Sequence, residues 1–167
     1  MPSVSPLSEG EGEGQAHQIE VTRFGQPEPL KVAPEDVLTF PEGLVGLDHL
    51  RLFVLLDDER VTPCRWLQSI DEPDLSFLVV DPRLVDPSYA PDLPGGELWS
   101  IISLRQPPEQ STANLLAPVV IDALGRTGRQ VVLRDLGYSL RHPISSLGDD
   151  AVAADSPEAA DDARTSA

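Results

Sequence analysis

The sequence predicts a mostly β fold, a small antiparallel β-barrel-like domain with little helix, on three observations. Its 167 residues include 17 prolines and 12 glycines, too many for long helices. Its apolar runs are short and rich in Val, Ile, Leu, Phe and Trp, as strands are. Turn residues separate these runs at close intervals, the pattern of an antiparallel barrel or sandwich.

Taken in order, Ile19 to Arg23 alternates apolar and polar residues and reads as a strand. Leu30 to Val32 and Val37 to Phe40 follow, divided by Ala33-Pro34. The only helical candidate is a short turn over Leu47 to Leu52, where Leu47, Leu50 and Arg51 keep i, i+3, i+4 spacing after Gly46. Phe53 to Leu56 and Trp66 to Ile70 are the next strands, separated by the acidic loop Asp57-Asp58-Glu59. Phe77 to Val80 is a continuous apolar run bounded by Asp74 and Asp81-Pro82, as expected of a central strand, and Trp99 to Leu104 is another strand.

Ser111 to Ile121 passes from a polar turn into an apolar strand. Ser111 and Thr112 can bond neighbouring backbone, Asn114 tolerates turn conformations, and Pro118 interrupts the ladder before Val119, Val120 and Ile121. The last unit is a hairpin from Val119–Ala123 through Leu124-Gly125-Arg126-Thr127-Gly128 to Gln130–Leu133, with the glycines expected to take the positive φ of the turn. Outside residues 18–147, the Ser, Pro, Gly and Glu of residues 1–17 and the Asp, Ala and Ser of residues 148–167 are compositions of disordered acidic tails.

The formal charge of -16 is uneven: the two tails carry -3 and -5, leaving -8 for the domain. Within it, Glu35 to Glu97 holds fourteen acids against four arginines, whereas Arg105 to Arg141 holds five arginines against three acids. An acidic surface repels phosphate, which argues against direct nucleic-acid binding, and attracts basic proteins. No apolar run approaches the roughly 20 residues of a membrane-spanning helix. The single cysteine, Cys64, excludes an internal disulfide framework and, with no charged-then-apolar leader, suits the cytoplasm.

Material for catalysis is poor. His17 falls in the N-terminal tail, His49 in the helical turn and His142 between Arg141 and Pro143, and none has a second His or Cys at metal-ligand spacing. Cys64 beside Arg65 lacks a partner base and reads as a buried structural thiol. Asp71, Glu72 and Asp74 surround Pro73 without the ligand spacing of a calcium loop and read as solvated turn acids. Trp66, Phe77 and Trp99 lie within apolar strands and belong to a core, while Phe24 and Phe40 flank turns and are expected to be partly exposed. No cofactor is expected, and a β-barrel hydrolase ranks last among the function classes.

Four segments in one order carry a resemblance: Phe40 to Leu47 (FPEGLVGL); Trp66 to Phe77 (WLQSIDEPDLSF); Ser111 to Val120; and Gly128 to Val132 followed by Tyr138 to Pro143 (YSLRHP). Together they resemble the bacterial flagellar assembly factor FliW family over Ile19 to Ile144. Gln68, Ser69, Thr112, Asn114, Pro118, Gly128, Arg141, His142 and Pro143 are the signature positions of this match. The resemblance implies a non-enzymatic cytoplasmic β domain with two protein partners, flagellin and the translational regulator CsrA, which the family antagonises. The alternative is a flagellin-binding assembly chaperone without translational control. Charge places the partner contact on Asp57, Asp58, Glu59, Asp71, Glu72 and Asp74, with Glu42 and Leu44 of the nearby turn. In one departure, only Ala90 to Leu98 stands where the family usually carries a longer acidic segment.

Overall fold

The computed structural model describes residues 16–144, so residues 1–15 of the expected N-terminal tail, the whole expected C-terminal tail and residues 145–147 lie outside the described residues. The described residues form eleven strands: β1 His17–Arg23, β2 Gln26–Val32, β3 Leu38–Thr39, β4 Leu52–Asp57, β5 Arg65–Ser69, β6 Ser76–Val80, β7 Glu97–Ser103, β8 Thr112–Ala113, β9 Val119–Asp122, β10 Thr127–Gln130 and β11 His142–Pro143. Among the described residues the only helices are single 3-10 turns, at Pro34–Asp36, Glu59–Val61, Pro82–Leu84 and Pro108–Gln110. His17, which composition assigns to the tail, is the first residue of β1.

Strands β3 to β7 form an antiparallel meander, β9 pairs with both β7 and β10, and β10 returns to β3. The ring therefore closes with seven strands. Antiparallel neighbours alternate in direction, so a ring with an odd number of strands must contain a parallel seam. That seam is Thr127 against Thr39. The expected antiparallel barrel is thus mixed at one contact.

Side-chain alternation fills the barrel and also coats it. Phe53, Leu67, Val79, Trp99, Val119 and Ile121 point inward to one buried cluster with Phe40 and Leu50. The opposite faces of β4 and β6 are also largely apolar. Val54 is covered by Val32 of the β1–β2 hairpin, with Leu30, Leu52 and Leu56 beside it. Leu78, Val80 and Ile102 are covered by Val61, Cys64, Val85 and Ile144. Burial on both faces explains why Phe77 to Val80 reads as a continuous apolar run.

The chain from Phe40 to Leu50 plugs one mouth of the barrel, and it is not a helix. Gly43 and Gly46 take φ of +68° and +81°. These close tight turns in which the Leu44 N–H donates to Leu47 O and the Leu47 N–H to Leu44 O, at 3.3 and 2.7 Å. The three-residue spacing of Leu44, Leu47 and Leu50 arises from successive turns rather than from a helical period, and Phe40, expected to be partly exposed, is fully buried beneath them.

The β9–β10 hairpin is tighter than expected, with β10 starting at Thr127. Its positive φ falls on Arg126 (57°), not on a glycine. Gly128 is required for another reason: a Cβ there would collide with the Phe40 ring. Gly128→Ala is therefore expected to lower stability by about 1–3 kcal/mol through overpacking, measured by urea denaturation.

Candidate functional site

Gln68 on β5 is completely buried, and a buried amide must find its partners inside the protein. Its Nε2 lies 2.8, 2.9 and 3.1 Å from the carbonyl oxygens of Ser69, Pro73 and Leu75. Its Oε1 accepts from Arg23 Nη2 at 2.7 Å, which docks the β1–β2 hairpin on the barrel. The guanidinium of Arg23, itself buried, also lies 4.5 Å from the centre of the Trp66 ring. Ser69 Oγ accepts from the Glu72 N–H at 2.9 Å. The β5–β6 turn is thus held from inside while its acids face outward.

Those acids divide by role. Asp71 Oδ2 accepts from the Arg51 and Leu52 N–H groups at 2.7 and 2.9 Å, tying the turn to the end of the plug. Glu72 Oε2 is 3.0 Å from His49 Nε2. Asp74 is exposed. Glu42 and Asp48 lie on the same end, because Gly43 packs against Asp48 so closely that a Cβ would stand 2.6 Å from its Cα. Glu42, Asp48, Asp71, Glu72 and Asp74 therefore surround one barrel mouth.

Asp57, Asp58 and Glu59 do not join them. Asp57 pairs with Arg65 while Phe53 pairs with Ser69, so this group sits at the opposite end of the β4–β5 ladder, roughly 13 Å away at the rise of a strand. Two of its three acids are also ion-paired. Asp57 faces Arg65 at 2.7 Å, and Arg60 reaches Asp58 at 2.7 Å and Glu28 at 3.0 Å. The side-chain bond from Arg60, aided by its N–H and by Trp66 Nε1, holds the Asp58 carboxyl at about 2 against the desolvation that opposes it. Leu44 is buried in the plug, so the exposed apolar side chain of that turn is Val45 at 61%.

Val45 stands between two hollows. One, of about 600 Å³, separates the plug from the β9–β10 hairpin and is lined by Glu42, Asp48, Asp122 and Arg129. The Val45 N–H donates to Gln130 Oε1 across it at 2.8 Å. The other, about 450 Å³, is apolar and bounded by Phe77, Ile101, Leu116, Val132 and Leu140. Neither presents a nucleophile beside a base. Among the described residues no group of three or more His, Cys, Asp or Glu is placed to hold a metal, and no helix is long and apolar enough to cross a membrane. Cys64 is buried.

Comparison with known proteins matches residues 18–144 to the family model described as FliW protein. The chain belongs to the FliW family. Flagellar assembly factor FliW of Bdellovibrio bacteriovorus is 42% identical over 139 residues, 75% of this chain and 78% of the relative. The same factor of Desulfitobacterium hafniense is 38% identical over 154 residues, 84% of this chain and 97% of the relative. A crystal structure of the flagellar assembly factor FliW superposes with a TM-score of 0.68 at 29% identity, over 75% of this chain and 96% of the other. FliW proteins are non-enzymatic assembly factors, and this chain shares their mostly β barrel with its small additional sheet.

Several residues that carry the resemblance have internal contacts. Along β7, Trp99 to Ile102 is three residues, whereas their partners Val119 and Ala113 are six apart. The surplus is a bulge over Leu115–Ala117, which Asn114 closes by accepting from the Ala117 N–H at 2.9 Å. Pro118 O accepts from the Val131 N–H at 3.0 Å. Thr112 pairs with Pro143, and His142 with Ala113. The Arg141 N–H bonds Ser139 Oγ at 3.0 Å. Residues 90–96, in the link before β7, form no helix or strand.

Two outcomes follow from this geometry. Gln68→Ala removes the acceptor of Arg23 Nη2 and a donor to the Ser69, Pro73 and Leu75 carbonyls, and is expected to cost about 2–4 kcal/mol in chemical denaturation. Because the Asp58 pKa is depressed in the fold, its contribution is full above pH about 4 and is lost as pH falls towards 2. Asp58→Asn should flatten the acid limb of stability over that window, measured by melting temperature against pH.

Proposed function

We propose that this FliW-family chain binds flagellin before export and binds and antagonises the translational regulator CsrA in the cytoplasm, so that flagellin synthesis follows flagellum assembly. Family membership supports the assembly role. The observation that carries the CsrA contact is the run of acids around the plugged mouth, where Glu42, Asp48, Glu72 and Asp74 are exposed and joined through Gly43 and His49. Such a field draws in a basic protein and opposes RNA phosphates on the same complex. With Asp57 and Asp58 ion-paired, the Asp57–Glu59 group offers less attraction, so the contact is assigned to the plug end.

Asp71 is better left intact in a test, since its carboxylate holds backbone. With Glu72→Lys and Asp74→Lys combined, CsrA affinity at low salt is expected to fall by about tenfold or more with the melting temperature retained, as read by calorimetry. Unchanged affinity would move the contact elsewhere. A wild-type chain that binds flagellin but neither binds CsrA nor relieves its RNA repression would reduce the function to that of a flagellin chaperone.

A further inference from the structure

The β1–β2 hairpin has one blunted edge and one open edge. Phe24 and Gly25, with φ of 53° and 79°, form its two-residue turn and make Arg23 and Gln26 a hydrogen-bonded pair. Pairing alternates from there. Thr22–Pro27, Glu20–Pro29 and Gln18–Lys31 are accordingly the pairs whose backbone groups point away from the hairpin. On β2, Pro27 and Pro29 remove two outward donors, the usual way an edge is closed to further strands. On β1 the N–H and C=O groups of Gln18, Glu20 and Thr22 all remain. Arg23 Nη1 lies 3.4 Å from Thr22 O, in keeping with a carbonyl that faces outward.

Gln18, Glu20 and Thr22 are exposed, and no strand among the described residues pairs on that side. The intervening Val21 and Arg23 are buried against the barrel, which fixes the edge in place. β1 has seven residues and carries no Pro, Lys or bulge to discourage pairing.

We propose that the outer edge of β1 is a strand-addition site for an extended segment of a partner protein that places Lys or Arg opposite Glu20. Main-chain hydrogen bonds to residues 18, 20 and 22 would provide the ladder, and the Glu20 carboxylate selects the charge. A second copy of this chain fits poorly. Antiparallel pairing centred on this position sets Glu20 against the other copy's Glu20, and each chain carries a charge of -16. The site needs neither CsrA nor flagellin as the partner.

The test uses the full chain and an alternating Lys/Val peptide the length of β1, with two copies of it N-methylated at the lysines or at the valines. In an antiparallel complex with lysine opposite Glu20, the lysine N–H groups enter the ladder and the valine N–H groups point away. Binding is expected to slow amide exchange at Gln18, Glu20 and Thr22 and to persist with the valine-methylated copy. It should fall about tenfold or more with the lysine-methylated copy and with Glu20→Pro, which mimics Pro27 and Pro29 and spares the hairpin bonds. Glu20→Gln, which keeps the N–H, should weaken binding less. No protection by the peptide, or equal binding of the lysine-methylated copy, overturns the proposal, and the latter reduces the contact to charge attraction; these arms decide even if Glu20→Pro fails to fold. Amides already protected in the isolated chain, or a dimer that Glu20→Pro dissociates in ultracentrifugation, assign the edge to the chain's own residues and also overturn it.

Discussion

The Gln68 amide has no access to water, and much of the molecule is arranged around that fact. Its nitrogen must reach carbonyl groups, and these are supplied by folding the β5–β6 turn back over β5. Its oxygen must accept, and Arg23 supplies the donor from a separate hairpin. The same side chain therefore positions an acidic turn and seats the small sheet on the barrel wall. A charged donor to a buried amide is among the stronger neutral–ionic pairings, and its loss leaves groups on both elements without solvent to replace it.

The second constraint is steric. Phe40 occupies the space under the plug, and Gly128 on the far side of the parallel seam leaves room for its ring. The plug in turn depends on Gly43 and Gly46 for its turns and on Asp71 for its anchorage. Acids at this mouth consequently stand on a short, well-tied segment rather than on a free loop. At the other end of β4, similar residue types are spent on internal ion pairs, so equal composition produces a different surface.

Strands with clean alternation or a continuous apolar run were legible from residues alone, as Ile19–Arg23 and Phe77–Val80 illustrate. β2 was only half legible, since Pro27 and Pro29 argue against a strand unless it lies on an edge, and edge position is a tertiary fact. The plug misleads because leucines three apart mimic a helical period when successive turns produce the same spacing. Charge was readable, but its distribution was not: residues 57–59 and 71–74 are near neighbours in sequence, and the length and direction of β5 send them to opposite ends. Of the residues that carry the resemblance, Gln68, Ser69 and Asn114 bond the backbone around them through their side chains, and Gly128 makes room for the Phe40 ring.

Closing a ring of seven strands through a parallel contact ties Thr39 to Thr127, two positions far apart along the chain. The meander of β3 to β7 can form from neighbouring hairpins, but the final seam gains nothing until the last third of the domain is in place. Such a topology has a high contact order, and the loop entropy is lost before the closing contacts compensate for it. On the ribosome, the barrel interior would stay open to solvent until β10 has emerged.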